Sequence, residues 1–454
     1  MIVCCAFFMQ QLDATIIATA LPQIAFSFGD HPVHLNIAIT AYILSLAVFI
    51  PISGWLADRF GSCTVFRAAL GAFAVGSLLC GLSNSVVELT AARVVQGMGG
   101  AMMAPVGRLL VLRSAKKTEF ISAMALLQVP AQIGAALGPL LGGLFTTYAS
   151  WRWIFWINVP ICIAGITAAS IFIENHREPE RKPLDWIGFV LTGISLASLL
   201  YGLETLAHDG SLGLLDSAAL ILGLVIGGGA VIHSMRHAHP LLDPSLLRVP
   251  TFKANMVPGT LFRLGIDAAP FLLPLLFQVV FGMSAFLSGI LTFATALGSL
   301  SMKTIAQPII RRVGFRNLLI WNTALCAAIM FSYVFISIET PAPLIFLLLL
   351  LGGFFQSLQF SSLNAISYAD IEPARMSSAT SFSQLGQRIV TGFSVAMVSL
   401  ILQLTMTLRG ATDLATVDFQ IVFMTTGLIS LSSIALFWGL APDAGREVSG
   451  HRPR

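Results

Sequence analysis

Charge is the scarcest property of this chain. Lys, Arg, Asp and Glu make up 10% of its 454 residues, against about 25% in soluble domains. Apolar residues account for 56% and the mean hydropathy is +0.86. A soluble globule of this length has nowhere to hide so much apolar surface, so the bilayer is read as the solvent. Other absences narrow the function. No Gly-x-x-x-x-Gly-Lys-Ser/Thr pattern occurs, so ATP is not expected as an energy source and no cofactor is expected. No clustered set of nucleophile, base and metal ligands occurs, nor a polar domain to house one, so an enzyme is not expected. The six cysteines (4, 5, 63, 80, 162, 326) fall in apolar runs or beside basic loops, and no disulfide framework is expected. Met1-Ile2-Val3 carries no basic segment and does not read as a signal peptide. The formal charge of +4 is dispersed, which argues against nucleic acid as a partner.

What is abundant is long apolar sequence. Fourteen runs near the ~20 residues of a membrane helix are read at 2–28, 36–57, 65–83, 86–110, 120–147, 151–173, 185–206, 213–236, 252–281, 285–308, 316–337, 341–366, 377–404 and 419–440. They are continuous rather than alternating, which favours helices over a barrel. With 39 Gly and 21 Pro, tightly packed and bent helices are expected. Arg59, Arg67, Arg113, Lys116, Lys117, Arg177, Arg181, Lys182, Arg236, Arg248, Lys253, Arg311, Arg312, Arg316, Arg375, Arg446, Arg452 and Arg454 all fall on one side. The other side holds little beyond Arg152 and Arg409. The positive side predicts the cytoplasm, with both termini inside.

Residues 1–175 and 251–441 read as two six-helix bundles, 176–250 as a linker with two extra spans, and 442–454 as a cytoplasmic tail. A loose echo joins the halves. Arg59-Phe60-Gly61 recurs as Arg312-Val313-Gly314, and Asp13 of span 1 has a rough counterpart in Asp267 of span 9. Repeated halves place a transporter's substrate site at their interface.

The chemistry-bearing candidates are charges inside the apolar runs. Asp13 has no nearby basic residue in sequence, and a carboxylate at that depth costs roughly 2.5–3.5 kcal/mol. It either pairs inside the bundle or carries protons. Arg93 lies inside span 4, with Asp13 its natural partner; a structural ion pair or snorkelling is the alternative. Arg263 and Asp267 stand four apart and are expected to neutralise each other, as an internal pair or as a second proton site. Arg388, beside Gln384 and Gln387, has no partner in its own helix and is expected to face a cavity or a carboxylate from another span. Gln128, Gln132, Gln356, Gln359 and Asn364 serve as cavity contacts or as glue between helices. Phe271, Phe354 and Phe355 suit an apolar cavity for lipophilic cations. His233, His237 and His239 have no metal-site spacing and no acidic neighbour in sequence, so no metal is expected.

Four patterns stand in order along the first half: Leu12-Asp13-Ala14-Thr15 through Ala20-Leu21-Pro22; Gly54-Trp55-Leu56-Ala57-Asp58-Arg59-Phe60-Gly61; Arg93-Val94-Val95-Gln96-Gly97-Met98-Gly99-Gly100-Ala101; and Gly134-Ala135-Ala136-Leu137-Gly138-Pro139-Leu140-Leu141-Gly142-Gly143. With them the chain resembles the major facilitator superfamily, in its fourteen-helix drug:proton antiporter branch. The resemblance implies an all-α polytopic fold of two six-helix bundles plus two central helices. It implies that Gly54, Asp58, Arg59 and Gly61 form a latch closing the cytoplasmic side, with Arg108 or Arg113 as partner to Asp58. The family pattern continues with two basic residues where Ser62 and Cys63 stand here, so the latch is weaker or Arg67 substitutes. Gly134, Gly138 and Gly142 share one helix face for close packing, Pro139 bends that helix, and the motif marks antiporting exporters.

The expectation is an inner- or plasma-membrane exporter that exchanges protons for an organic, amphipathic or drug-like compound. A proton-coupled importer, a narrow-specificity metabolite or siderophore exporter, and a membrane sensor without net flux are the alternatives. The partners expected are small molecules, protons and lipid. A monomer is expected, with room for a partner efflux component.

Overall fold

The computed structural model describes residues 2–29, 35–116, 119–177, 183–209, 213–303, 305–411 and 413–451. No strand occurs among them. Twenty α-helices run in chain order: α1 Ile2–Phe28, α2 Asn36–Phe49, α3 Ile52–Phe60, α4 Ser62–Leu82, α5 Val86–Ser114, α6 Phe120–Tyr148, α7 Trp153–Trp156, α8 Asn158–Phe172, α9 Trp186–Asp209, α10 Leu214–Arg236, α11 Pro250–Met256, α12 Pro258–Ile266, α13 Ala269–Leu275, α14 Ala285–Lys303, α15 Ala306–Val313, α16 Phe315–Tyr333, α17 Ala342–Ile366, α18 Met376–Arg409, α19 Thr416–Phe437 and α20 Arg446–Ser449.

Lipid offers the backbone no hydrogen bonds, so apolar runs of this length close their own as helices. Eleven described helical segments are long and apolar enough to cross a bilayer, and two bent pairs raise the number to thirteen. The 29-residue α6 is about 43 Å long. The protein is a multi-pass membrane protein.

Proline sets where the spans break. Ile37–Phe49 and Ile52–Phe60 are bent by 56° around Pro51, which has no N–H to give and crowds the preceding turn. Span 9 is divided into three short helices, with Pro258 opening the second and Pro270 the third. The echo between the halves is conformational as well as sequential. Gly61 (φ 94°) and Gly314 (φ 79°) both stand immediately ahead of a helix, α4 and α16, in backbone that disfavours any side chain.

Glycine also sets how close the helices come. A Cβ at Gly134 would lie 2.3 Å from the Phe8 carbonyl oxygen of α1, and one at Gly99 2.7 Å from the Ala69 carbonyl oxygen of α4. In the second half Gly298 and Gly353 make the same close approach between α14 and α17, each onto a backbone carbonyl of the other helix. α5 is two-thirds buried along its span, whereas α10 is only 11% buried and turns most of its surface outward. Its neighbour α9 packs on α2 of the first half, where Phe49 meets Phe189, and on α18 of the second, where Leu203 and Leu206 meet Ala396.

Candidate functional site

Asp13 and Arg93 meet in the interior. Asp13 lies about 17 Å along α1 from its start, and Arg93 about 11 Å along α5 from its start. The Arg93 Nη1 donates to Asp13 Oδ2 at 2.7 Å, and both residues are 1% exposed. Three further side chains close the site. Gln96 Nε2 donates to Asp13 Oδ1 at 2.8 Å while its Oε1 accepts from Arg93 at 2.7 Å. Asn158, the first residue of α8, donates to the same Oδ1 at 3.1 Å. Ser77 accepts from Gln96 and Asn158, both at 3.0 Å. The Tyr42 ring lies 4.0 Å from the Arg93 guanidinium carbon, on the face where the cation meets the ring quadrupole. The carboxylate thus draws on four helices, α1, α4, α5 and α8. Sequence reading paired Asp13 with Arg93 but missed Tyr42, Ser77, Gln96 and Asn158. Gln96 carried a signal, being one turn beyond Arg93 in the quoted motif.

At the basic end Asp58 bridges α3 to α5 and α18. Its Oδ1 accepts from Arg113 at 3.2 Å, and its Oδ2 accepts from the Ser377 hydroxyl of α18. Ser53 and Ser381 hydrogen-bond one turn deeper, at 3.0 Å. Gly54 makes that seam possible, since a Cβ there would fall 2.9 Å from the Ser377 carbonyl oxygen. Arg113 is the partner of Asp58, whereas Arg108 donates to the Tyr368 hydroxyl at 3.2 Å. One expectation is corrected. Arg67 does not stand in for the missing basic residues; it donates to Ser170 of α8 at 3.1 Å, away from the seam. Arg59 stacks over Trp55 and Phe60, 5.3 and 5.9 Å from their centroids, and joins no described ion pair. A second ion pair, Arg375 to Asp243 at 2.7 Å, ties the start of α18 to the segment that follows α10.

Further in, Gln132 donates to Ser299 at 2.7 Å and Lys303 donates to Gln128 at 2.5 Å, joining α6 to α14. Nearer the basic end, Ser122 donates to Gln307 at 2.7 Å. Every described hydrogen bond between residues 2–175 and 251–441 lies in the half of the bundle that carries the basic loops.

Arg263 and Asp267 do not form the expected ion pair. Asp267 caps α12 in helical backbone, its N–H bonded to the Arg263 carbonyl, yet its carboxylate accepts from Thr391 at 2.9 Å rather than from the Arg263 guanidinium. Arg263, 7% exposed, lies over Phe360 at 4.6 Å, and its Nε and Nη2 have no hydrogen-bond partner. The charge of Arg108 reaches Arg263, and that of Arg388 reaches the Tyr42 hydroxyl from the other half. Of the remaining cavity candidates, Phe355 stacks edge-on with Phe354 at 5.3 Å. Gln356 follows it on α17, and Phe271 lies on α13, 38% exposed. Gln359 serves as glue, bonding Asn322 and Thr323 of α16. Gly138 and Gly142 face the Thr15 and Thr19 hydroxyls of α1; the Pro139 side chain lies outside the described residues.

Residues 3–395 match the family model of the Major Facilitator Superfamily. The chain belongs to the major facilitator superfamily. This facilitator protein is 38% identical over 406 residues to the putative multidrug resistance protein MdtD of Serratia proteamaculans (strain 568), an alignment covering 88% of this chain and 84% of that one. The protein of the same name from Salmonella dublin is also 38% identical over 406 residues, covering 88% and 85%. Among solved structures, the human organic anion transporter MFSD10 (TETRAN) shares the fold at a TM-score of 0.64, with 16% identity over 96% of this chain and 98% of that one. The proton:xylose symporter XylE, bound to 6-bromo-6-deoxy-D-glucose, matches at 0.67, with 12% identity over 99% and 96%. The facilitator fold of a multi-pass transporter, read from the sequence, is thereby established.

Proposed function

We propose that this facilitator protein exports organic, amphipathic compounds in exchange for protons by alternating access, in a cell's inner or plasma membrane with the basic end inside. The observation that carries the reading is the Asp13 carboxylate, sealed from solvent and held by Arg93, Gln96 and Asn158. A lone carboxylate there is stable as an anion only while Arg93 stays bound. If the second conformation moves α1 against α5, burial without the cation favours protonation, and the cycle carries one proton per switch at Asp13. With the basic end inside, the bonds from Asp58, Ser53, Arg108 and Ser122 to the second half close the cytoplasmic entrance in this conformation. The relatives' name, multidrug resistance protein, supports the drug-like substrate class.

A second reading, a narrow-specificity exporter of an anionic metabolite, is favoured by Arg108, Arg263 and Arg388. Among the described residues none of the three forms an ion pair, and Arg263 keeps two buried N–H donors unused. That surplus argues against the lipophilic cations expected from the aromatic residues. Proteoliposomes with an imposed pH gradient test both readings against cationic, neutral and anionic compounds. Export is supported by gradient-driven accumulation that a protonophore abolishes, and refuted by accumulation indifferent to the gradient. The charge of the accumulated compound chooses between the two substrate classes.

A further inference from the structure

His233 and His237 stand one helical turn apart at the end of α10, and the fold brings a carboxylate to them that the sequence does not. Asp185, 48 residues upstream, places its Oδ1 2.8 Å from His233 Nε2. The two imidazoles are 5.1 Å apart, and one ligand atom from each of the three residues lies within 4.8 Å of the others. We propose that Asp185, His233 and His237 form a binding site for a transition-metal dication of the Zn2+ type.

Two imidazoles and one carboxylate make the donor set of an open tetrahedral zinc site, in which neighbouring ligand atoms stand ~3.4 Å apart at ordinary bond lengths. The contact between His233 and Asp185 needs to widen by only about 0.6 Å, and His237 to swing inward. His237 accepts the His239 N–H at Nδ1; metal binding through either ring nitrogen frees that N–H, so the segment after α10 responds to the ion. Asp185 also accepts the N–H of Gly188 at 2.8 Å and that of Leu241 at 3.4 Å, which fix the carboxylate in place. A cavity of about 140 Å³ adjoins it, lined by Asp58, Asp185, Asp243 and His239 with Arg375 as its guanidinium. Arg113 pairs with Asp58 and Arg375 with Asp243, which leaves Asp185 as the lining carboxylate with no described guanidinium partner and open to a cation. Ca2+ and Mg2+ fit poorly, since both want oxygen ligands throughout.

The ion would clamp the start of α9, the end of α10 and the chain at Leu241. Two residues further on, Asp243 holds Arg375 beside the Asp58–Ser377 contact. Zn2+ would therefore stiffen the connection between the central helices and the closed end.

The test uses the full-length protein without a polyhistidine tag, purified in detergent and stripped with chelator. Zn2+ is titrated calorimetrically, and melting is followed with and without the ion. The site predicts about one ion per chain and a higher melting temperature in zinc. His237→Gln should weaken binding about tenfold or more while melting like wild type in chelator. His233→Gln, which keeps a donor for Asp185, should do the same. Equal Zn2+ affinity in wild type and the doubly substituted protein, or no saturable uptake by wild type, would overturn the assignment and leave a hydrogen-bonded helix cap.

Discussion

The Ser377 hydroxyl donates to the Asp58 carboxylate across 319 residues of chain, and that bond joins the two halves at the basic end. Ser377→Ala removes one hydrogen bond to a charged group, worth about 1.5–3 kcal/mol. Asp58→Asn removes the charge that Arg113 needs as well. Both variants should insert normally and shift the population toward the form open at the basic end, by roughly 5–150-fold. Alkylation of a cysteine introduced at Ser381 reads this directly. Unchanged labelling and wild-type transport at equal expression would reduce Asp58 to a marker of topology.

Among the α6 glycines, the cost of a methyl group should follow what it strikes. At Gly134 it meets the Phe8 carbonyl oxygen at 2.3 Å, and backbone cannot step aside. At Gly138 it meets the Thr15 hydroxyl, which can rotate, then Thr15 Cβ at 2.9 Å and backbone only at 3.1 Å. Gly134→Ala should therefore lower the melting temperature in detergent clearly more than Gly138→Ala, overpacking costing about 1–3 kcal/mol. Equal effects would contradict the packing of α1 on α6.

Arg388→Gln tests which charge the substrate bears. If an anion sits between Arg388 and Tyr42, the variant should raise KM for anionic compounds about tenfold or more, as for a lost charge-assisted bond, and leave neutral compounds unaffected. A uniform change across all compounds would assign Arg388 to structure.

The Asp243–Arg375 contact should be indifferent to pH through the physiological range. Burial opposes ionisation of Asp243, but bonds from Ser245 and Arg375 outweigh it and hold its carboxyl below the ordinary value. A depressed carboxylate contributes its stability fully above the unfolded value of about 3.9 and loses it only as pH falls through the lower folded value. Melting curves of wild type and Asp243→Asn should therefore differ by a constant amount from pH 5 to 8 and converge below about pH 4. Convergence near neutrality would contradict this.

Much of the fold was legible because lipid leaves a chain few choices. Continuous apolar runs give helices, basic loops mark one end, and Arg59-Phe60-Gly61 and Arg312-Val313-Gly314 announce the paired positive-φ turns. The partners across helices were less legible. Arg113 and Arg108 both had the reach to meet Asp58, and only the seam with α18 decides between them. Arg263 and Asp267 looked paired because they stand one helical turn apart, but the Asp267 carboxylate takes its bond from Thr391 of α18, which spacing within one helix does not show. Ser377, Asn158 and Tyr42 are ordinary polar residues until three-dimensional contact gives them work. Asp185 lies too far from His233 in sequence for any spacing rule to join them.

Asp13 is the group proposed to take up and give back the proton, and substrate-induced proton release in detergent tests that role most directly. Wild-type protein, lightly buffered, should release protons on adding a transported compound. Asp13→Asn fixes the neutral form and should still bind the compound while releasing none. Arg93→Ala, which removes the cation bonded to the carboxylate, should change the pH dependence of release in protein that still binds the compound. Undiminished release from a well-folded Asp13→Asn protein would contradict the account and place the proton elsewhere, with Asp267 the next carboxylate to examine.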